Sequence, residues 1–456
     1  MPSDIHHPSD AGAQRQRQEL ALRLDFDIPS AEKHFLEKRK VVVVGRALQK
    51  LLELSSPPDT DKAPLVGVVC SGGGTRAMTG IFGSLRGRLY EDDCEGRRQN
   101  IKNEDETPLL RLLFSSSPYK RSLRGLQTLG ILDAVSYITG VSGSTWAMST
   151  LYENSDWSKE DMGVVTEPMK IEMIQRYKDI LSTEKIGYYR KEMEQKEKEG
   201  HPVSYIDMWG LAIEHLIYVQ KWESTLSDQK RAVSEGQNPL PIYTAVNMKS
   251  SQKGINAEAE WCEFSPFEVG IPKYGAFVPT KRFGSEYFLG HQLNNLPENR
   301  LPFLIVLLTC LFASQVLKKT QKHCTDHRIP FPHIDFSRVE NEPMKEVYVF
   351  EDKNNPKAPI VVHFPMVNLT FRKFKAPGVK REGEDELKQG EVDQGLAIPH
   401  LAYQTGLPPE DFQKLMDLTC YNVLNNRDIL RSALRRALHR ERTYVDGDAR
   451  KDHPCS

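Results

Sequence analysis

The chain has 456 residues, 39% of them hydrophobic, and its 61 Lys and Arg nearly balance 62 Asp and Glu for a formal charge of −1. That balance argues against a dedicated nucleic-acid binder, which carries a basic excess. At roughly 150 residues per domain, the length allows two or three small domains or one enzyme-sized unit. Seven cysteines, odd in number and widely spaced, suit a reducing compartment better than a disulfide framework. The longest apolar run, 303–313 (FLIVLLTCLFA), falls far short of the roughly 20 residues a helix needs to cross a bilayer, and reads as a buried strand or core helix. The first residues lack the apolar stretch of a signal peptide. A cytoplasmic protein is expected.

In chain order, 1–29 is polar and aperiodic and reads as a disordered lead-in. Residues 30–53 read as helical, with Ser30 as cap and Glu32 and Glu37 near the positive end, although 41–44 (VVVV) is β-branched. The run 64–70 (PLVGVVC) has the pattern of a buried strand in a parallel sheet. It leads into Ser71-Gly72-Gly73-Gly74-Thr75-Arg76 and then a helical stretch. A second unit follows: a short strand at 136–139, the turn Gly140-Val141-Ser142-Gly143-Ser144, and a helix at 145–152. Two strand–turn–helix units with glycine at both turns imply an α/β domain whose site sits at the carboxyl ends of the strands.

Between these units Ser84-Leu85-Arg86-Gly87 recurs as Ser122-Leu123-Arg124-Gly125. Joining Gly87 to Leu126 leaves one amphipathic helix through Met78, Ile81, Phe82, Leu85, Leu126 and Leu129. Residues 88–125 are therefore read as an inserted loop. Downstream, 191–201 reads as a solvated helix face, 241–246 as a strand and 261–288 as an ordered irregular segment. A strand interrupted at Pro365 is expected over 360–367, a charged loop over 373–395, helix over 410–439 and a disordered tail over 441–456.

A serine nucleophile needs its hydroxyl exposed on a sharp strand-to-helix turn, and small neighbours allow that bend. Ser142 has this setting, although Ser144 replaces the second glycine of the generic G-x-S-x-G pattern. The glycines at 72–74 let backbone N–H groups converge as an oxyanion hole. A nucleotide loop is disfavoured because Thr75-Arg76 stands where Lys-Ser/Thr is required. Arg76 is placed to bind an anionic group such as a phosphate.

Together these segments resemble a family. SGGGTRAM (71–78) and GVSGSTWAMSTLY (140–152) resemble the catalytic domain of the cytosolic, group IV, phospholipases A2. LPIYTAVN (240–247), EFSPFEVG (263–270), RIPFP (328–332) and LTCYNVLNN (418–426) extend the resemblance. It implies a patatin-like α/β fold with a central mixed β-sheet flanked by helices, here incomplete, over one catalytic domain at 30–440. No sequence remains for the calcium-binding C2 domain of most members, so the layout is nearest the calcium-independent gamma type, with no cofactor and no calcium expected. By resemblance, Ser142 is the nucleophile of a Ser–Asp dyad, Gly73 and Gly74 are oxyanion donors and Arg76 stabilises the phosphate side. The implied substrates are glycerophospholipids and lysophospholipids at an intracellular membrane surface, cleaved through an acyl-serine intermediate.

One element departs from the family pattern. The D-[SA]-G-L segment that carries the catalytic Asp, and the W-G-S-A-F helix before it, are both missing, which indicates a deletion near 305–314. Asp10-Ala11-Gly12 and Asp446-Gly447-Asp448 contain the residue types, but neither follows a convincing strand, so the dyad Asp is assigned to no residue. A weak or inactive hydrolase is expected, and the alternative is a non-catalytic lipid-binding relative. A third reading, an α/β hydrolase with a Ser-His-Asp triad, needs an essential histidine. His323, Cys324 and His327 lack a fourth ligand, so no metal is expected. Lys373, Lys375, Lys380 and Arg381, near Phe371 and Phe374, read as a solvated loop or, less simply, a basic lip toward an anionic membrane.

Overall fold

The computed structural model describes residues 21–85, 125–160, 179–218, 221–248, 259–307, 316–392 and 409–440. The expected inserted segment up to its last residue, most of the deletion site and the expected tail at 441–456 lie outside these residues. So do Asp10 and Asp446.

The first strand, β1 (Arg23–Leu24), falls within the stretch expected to be disordered. It is ordered because it pairs with the sheet edge and Arg23 forms an ion pair with Glu268. Next come α1 (Ser30–Arg39), a π-helical turn at Lys40–Val44 and α2 (Gly45–Leu52). The four valines stay helical despite their β-branching. Pro29, and not Ser30, occupies the N-cap, with no side-chain cap bond.

Two parallel strands follow, each leading directly to a helix: β2 (Gly67–Cys70) to α3 (Gly74–Leu85), and β3 (Tyr137–Gly140) to α4 (Gly143–Leu151). Then α5 (Thr183–Lys198) and α6 (Tyr205–Ile217) precede β4 (Leu240–Met248), β5 (Ala259–Phe264), β6 (Glu268–Ile271) and β7 (Ala276–Pro279). The sheet has seven strands in the order β1-β7-β6-β5-β4-β3-β2, parallel from β2 to β4 and antiparallel from β4 to β1. The central mixed sheet flanked by helices is therefore as expected.

Two readings change. The segment 261–288 is largely a strand meander; its Gly and Pro fall at strand ends and turns such as Gly275, φ +59. And β2, read as buried, is an edge strand whose Val69 is 78% exposed.

The chain continues through the hairpin β8 (Tyr287–Phe288) and β9 (His291–Gln292) to α7 (Leu301–Leu307), the described part of the longest apolar run. Further on lie α8 (Val316–Asp326), α9 (Phe336–Asn341) and the hairpin β10 (Tyr348–Phe350) with β11 (Val361–His363). The expected charged loop at 373–395 instead contains a hairpin, β12 (Phe374–Ala376) with β13 (Val379–Lys380), and helix α10 (Gly383–Gln389). Just before it, Phe371 is a core residue under the Arg381 guanidinium, and Lys375 pairs with Glu386 at 2.7 Å, whereas Lys373 and Lys380 are exposed. The terminal helices are α11 (Pro409–Asn425) and α12 (Arg427–His439).

The helix face at 191–201 is only partly solvated. Arg300 bonds Glu192 at 2.7 Å and Glu214 at 2.8 Å, tying α5 and α6 to the start of α7, and Lys196 pairs with Asp207. Buried charges of this kind persist because they are matched and hydrogen-bonded. Among the described residues, no helix is long and apolar enough to cross a membrane.

Candidate active site

Parallel pairing aligns the two turns. Register runs from Gly67–Tyr137 to Cys70–Gly140, so both strands end at the same level and release their turns at the same end of the sheet. The helices that follow pack side by side. A neighbour at position 140 must be small: a Cβ on Gly140 would lie 2.5 Å from the Met148 sulfur.

Ser142 stands between β3 and α4 with φ 59° and ψ −134°, a conformation that non-glycine residues rarely adopt. It is the strained turn that the motif demands of a nucleophile. Its carbonyl accepts from the Thr145 amide at 2.8 Å and the Thr145 hydroxyl at 2.6 Å, which closes the first turn of α4. The residue is 6% exposed and caps the positive end of a nine-residue helix.

The glycine loop lies directly against this turn. Gly73 and Gly74 have φ +147° and +58°, which only glycine adopts without strain. A Cβ on Gly143 would fall 1.8 Å from the Gly74 carbonyl oxygen, so the two backbones touch. The Ser144 hydroxyl donates to the Ser71 carbonyl. Arg76, in the first turn of α3, folds back over the loop, with one guanidinium nitrogen 3.4 Å from where a Gly73 Cβ would stand. Burial lowers its pKa below the ordinary value. The Cys70 thiol, just before the loop, is pushed up to about 12 by burial and is a poor nucleophile.

The four candidate residues, Ser142, Gly73, Gly74 and Arg76, thus come together. Among the described residues, no carboxylate or imidazole is hydrogen-bonded to the Ser142 hydroxyl. His323, on α8, and His327, just past its end, stack at 4.1 Å, and the described residues hold no cluster of three or more metal-ligating groups. The Ser144–Ser71 bond was not legible in the sequence, although the serine at 144, where the generic motif has glycine, marked the position.

Residues 116–318 match the family described as Lysophospholipase catalytic domain. Human cytosolic phospholipase A2 zeta is 31% identical over 574 residues, covering 92% of this chain and 62% of the relative. The solved structure of human GIVD cytosolic phospholipase A2 superposes with TM-score 0.79 at 28% identity, covering 93% of this chain and 66% of that one. Over more than nine tenths of its length the chain is similar to the cytosolic phospholipases A2.

Other phospholipase A2 relatives behave alike: the human epsilon protein is 29% identical, over 93% of this chain and 61% of its own length. The chain spans about three fifths of the length of these curated relatives. The alignment to the zeta protein is longer than the whole 456-residue chain, so more than a hundred positions of that relative face no residue here.

Proposed function

We propose that the chain is a calcium-independent glycerophospholipid acyl hydrolase of phospholipase A2 and lysophospholipase type, acting from the cytosol at membrane surfaces through Ser142. The observation that carries this reading is the strained Ser142 turn set against the Gly73-Gly74 loop, in a family whose members are named as phospholipases. The Ser142 oxygen adds to the ester carbonyl, with Gly73 and Gly74 N–H groups facing the developing oxyanion. The ester C–O bond then breaks, and the serine proton ends on the departing lysophospholipid alcohol. Water cleaves the acyl-serine, releasing fatty acid and restoring the hydroxyl. Arg76 holds the substrate phosphate.

The catalytic domain is read as 30–440, with 88–125 inserted and a deletion near 305–314. Catalysis without a dyad carboxylate is slow, since a positioned acid–base group contributes about 10²–10⁴-fold. Two observations support a second reading, a lipid-binding relative without catalysis: the unmatched positions of the zeta relative, and the absence of a described carboxylate on Ser142.

A relative has been solved in complex with methyl gamma-linolenyl fluorophosphonate, so this reagent class is a suitable probe. The test is fatty-acid release from phosphatidylcholine vesicles and lysophosphatidylcholine micelles, with chelator present. Slow release that Ser142→Ala abolishes supports the hydrolase. Vesicle binding with no release and no fluorophosphonate labelling supports the second reading.

A further inference from the structure

We propose that Ser144 is a positioning residue for acyl transfer, its hydroxyl clamping the glycine loop to the nucleophile turn; this rests on the reading of Ser142 as nucleophile. The β2–β3 ladder ends at the Cys70–Gly140 pair. Beyond that pair, strand bonds no longer hold residues 71–74 against 142–144. The loop is Ser-Gly-Gly-Gly, and its glycines have the widest choice of backbone conformation of any residue. Something else must select the one in which Gly73 and Gly74 have φ of +147° and +58°.

Two contacts do so from opposite directions. The Gly143–Gly74 approach is a steric stop: the Gly74 carbonyl oxygen already occupies the space a Cβ would take, so the loop cannot move closer. The Ser144–Ser71 hydrogen bond is attractive and stops the loop from moving away. Ser144 is fully buried, so water does not compete for this bond. Stop and clamp act on neighbouring residues at both ends of the loop and together set its distance from Ser142. They also account for serine at 144, where the generic elbow has glycine: a glycine there has no hydroxyl to hold the loop.

Misplacing reacting groups by about 1 Å can cost about 10²-fold in rate, so loss of the clamp is expected to slow chemistry more than binding. The experiment compares the full chain as wild type, Ser144→Ala, Ser144→Cys and Ser142→Ala, reacted with an alkyl fluorophosphonate. The inactivation rate constant, the reagent's dissociation constant, the labelled fraction and Tm are measured for each. Ser144→Ala is expected to lower the inactivation rate constant about tenfold or more, with the dissociation constant and labelled fraction unchanged. Ser144→Cys, which keeps a weak donor in the same shape, is expected to recover part of that loss. A rate constant equal to wild type in Ser144→Ala overturns the clamp. So does a loss confined to the labelled fraction or Tm, which is the mark of a merely structural serine. If the wild type shows no labelling that depends on Ser142, the nucleophile reading itself fails and the clamp falls with it.

Discussion

The Leu126 amide donates to the Ser84 carbonyl across 2.8 Å, although 42 positions separate them in the chain. With 88–125 removed, Leu126 becomes the fourth residue after Ser84, and the contact is an ordinary α-helical i to i+4 bond. Gly125 fits tightly at this point, since a Cβ there would meet the Ser84 oxygen at 2.2 Å.

Deleting 88–125 so that Gly87 joins Leu126 is therefore expected to leave the fold intact. Closing a long loop costs entropy that grows slowly with length, so removing it changes stability by about 1–2 kcal/mol at most. Thermal unfolding and circular dichroism check this; a protein that no longer folds cooperatively shows that the segment is integral to the domain.

Ser142 pays for its geometry in strain, and glycine at that position relieves it. Backbone strain of this type costs about 1–3 kcal/mol, so Ser142→Gly is expected to raise stability by about 1 kcal/mol, less than the full strain because glycine also loosens the unfolded chain. Ser142→Ala keeps the strained dihedrals and is expected to leave Tm close to wild type. Urea titration of both variants checks the contrast, and equal stabilities would mean the turn is relaxed.

Helix α3 is nearly all buried, and α11 packs on it through glycine. A Cβ on Gly83 would meet the Thr419 hydroxyl at 2.2 Å and the Met416 carbonyl oxygen at 2.3 Å. Backbone cannot yield cheaply, so Gly83→Ala is expected to cost about 1–3 kcal/mol by overpacking, more than the roughly 1 kcal/mol that alanine gains in helix propensity. Chemical denaturation decides the sign.

Glu263 on β5 has its pKa raised from 4.5 to about 7, first by burial and then by Glu32 and Glu268. The folded state then binds more protons than the unfolded state between these values. Stability from this group is complete below about pH 4.5 and is lost as pH rises through about 7. Glu263→Gln is expected to flatten that decline and to be more stable than wild type at pH 8. Unfolding curves from pH 4 to 8 test it, and parallel profiles for the two proteins would remove Glu263 as the cause.

Much of the candidate site was legible in the sequence because its chemistry depends on local backbone freedom. Three glycines before a helix, and a serine between glycines after a short strand, are one-dimensional patterns with one main physical use. The insertion at 88–125 is read for a similar reason: the apolar spacing of a helix resumes after it. The meander at 261–288 was not legible, because Gly and Pro at strand ends resemble those of irregular segments, and only pairing with β4 distinguishes them. Nor was the edge position of β2, since an apolar run looks the same whether one side or both sides are paired.

The sequence by itself determined the α/β class and the residues that bend at the two turns, because these follow from short-range periodicity and local backbone freedom, and its motifs carried the resemblance to the cytosolic phospholipases A2. Only the tertiary structure decided that the Cys70–Gly140 register brings the turns level, that Gly143 meets Gly74, and that Ser144 bonds Ser71. Those contacts join segments about 70 residues apart in the chain. Strand pairing and close packing place them together, and no local pattern records either.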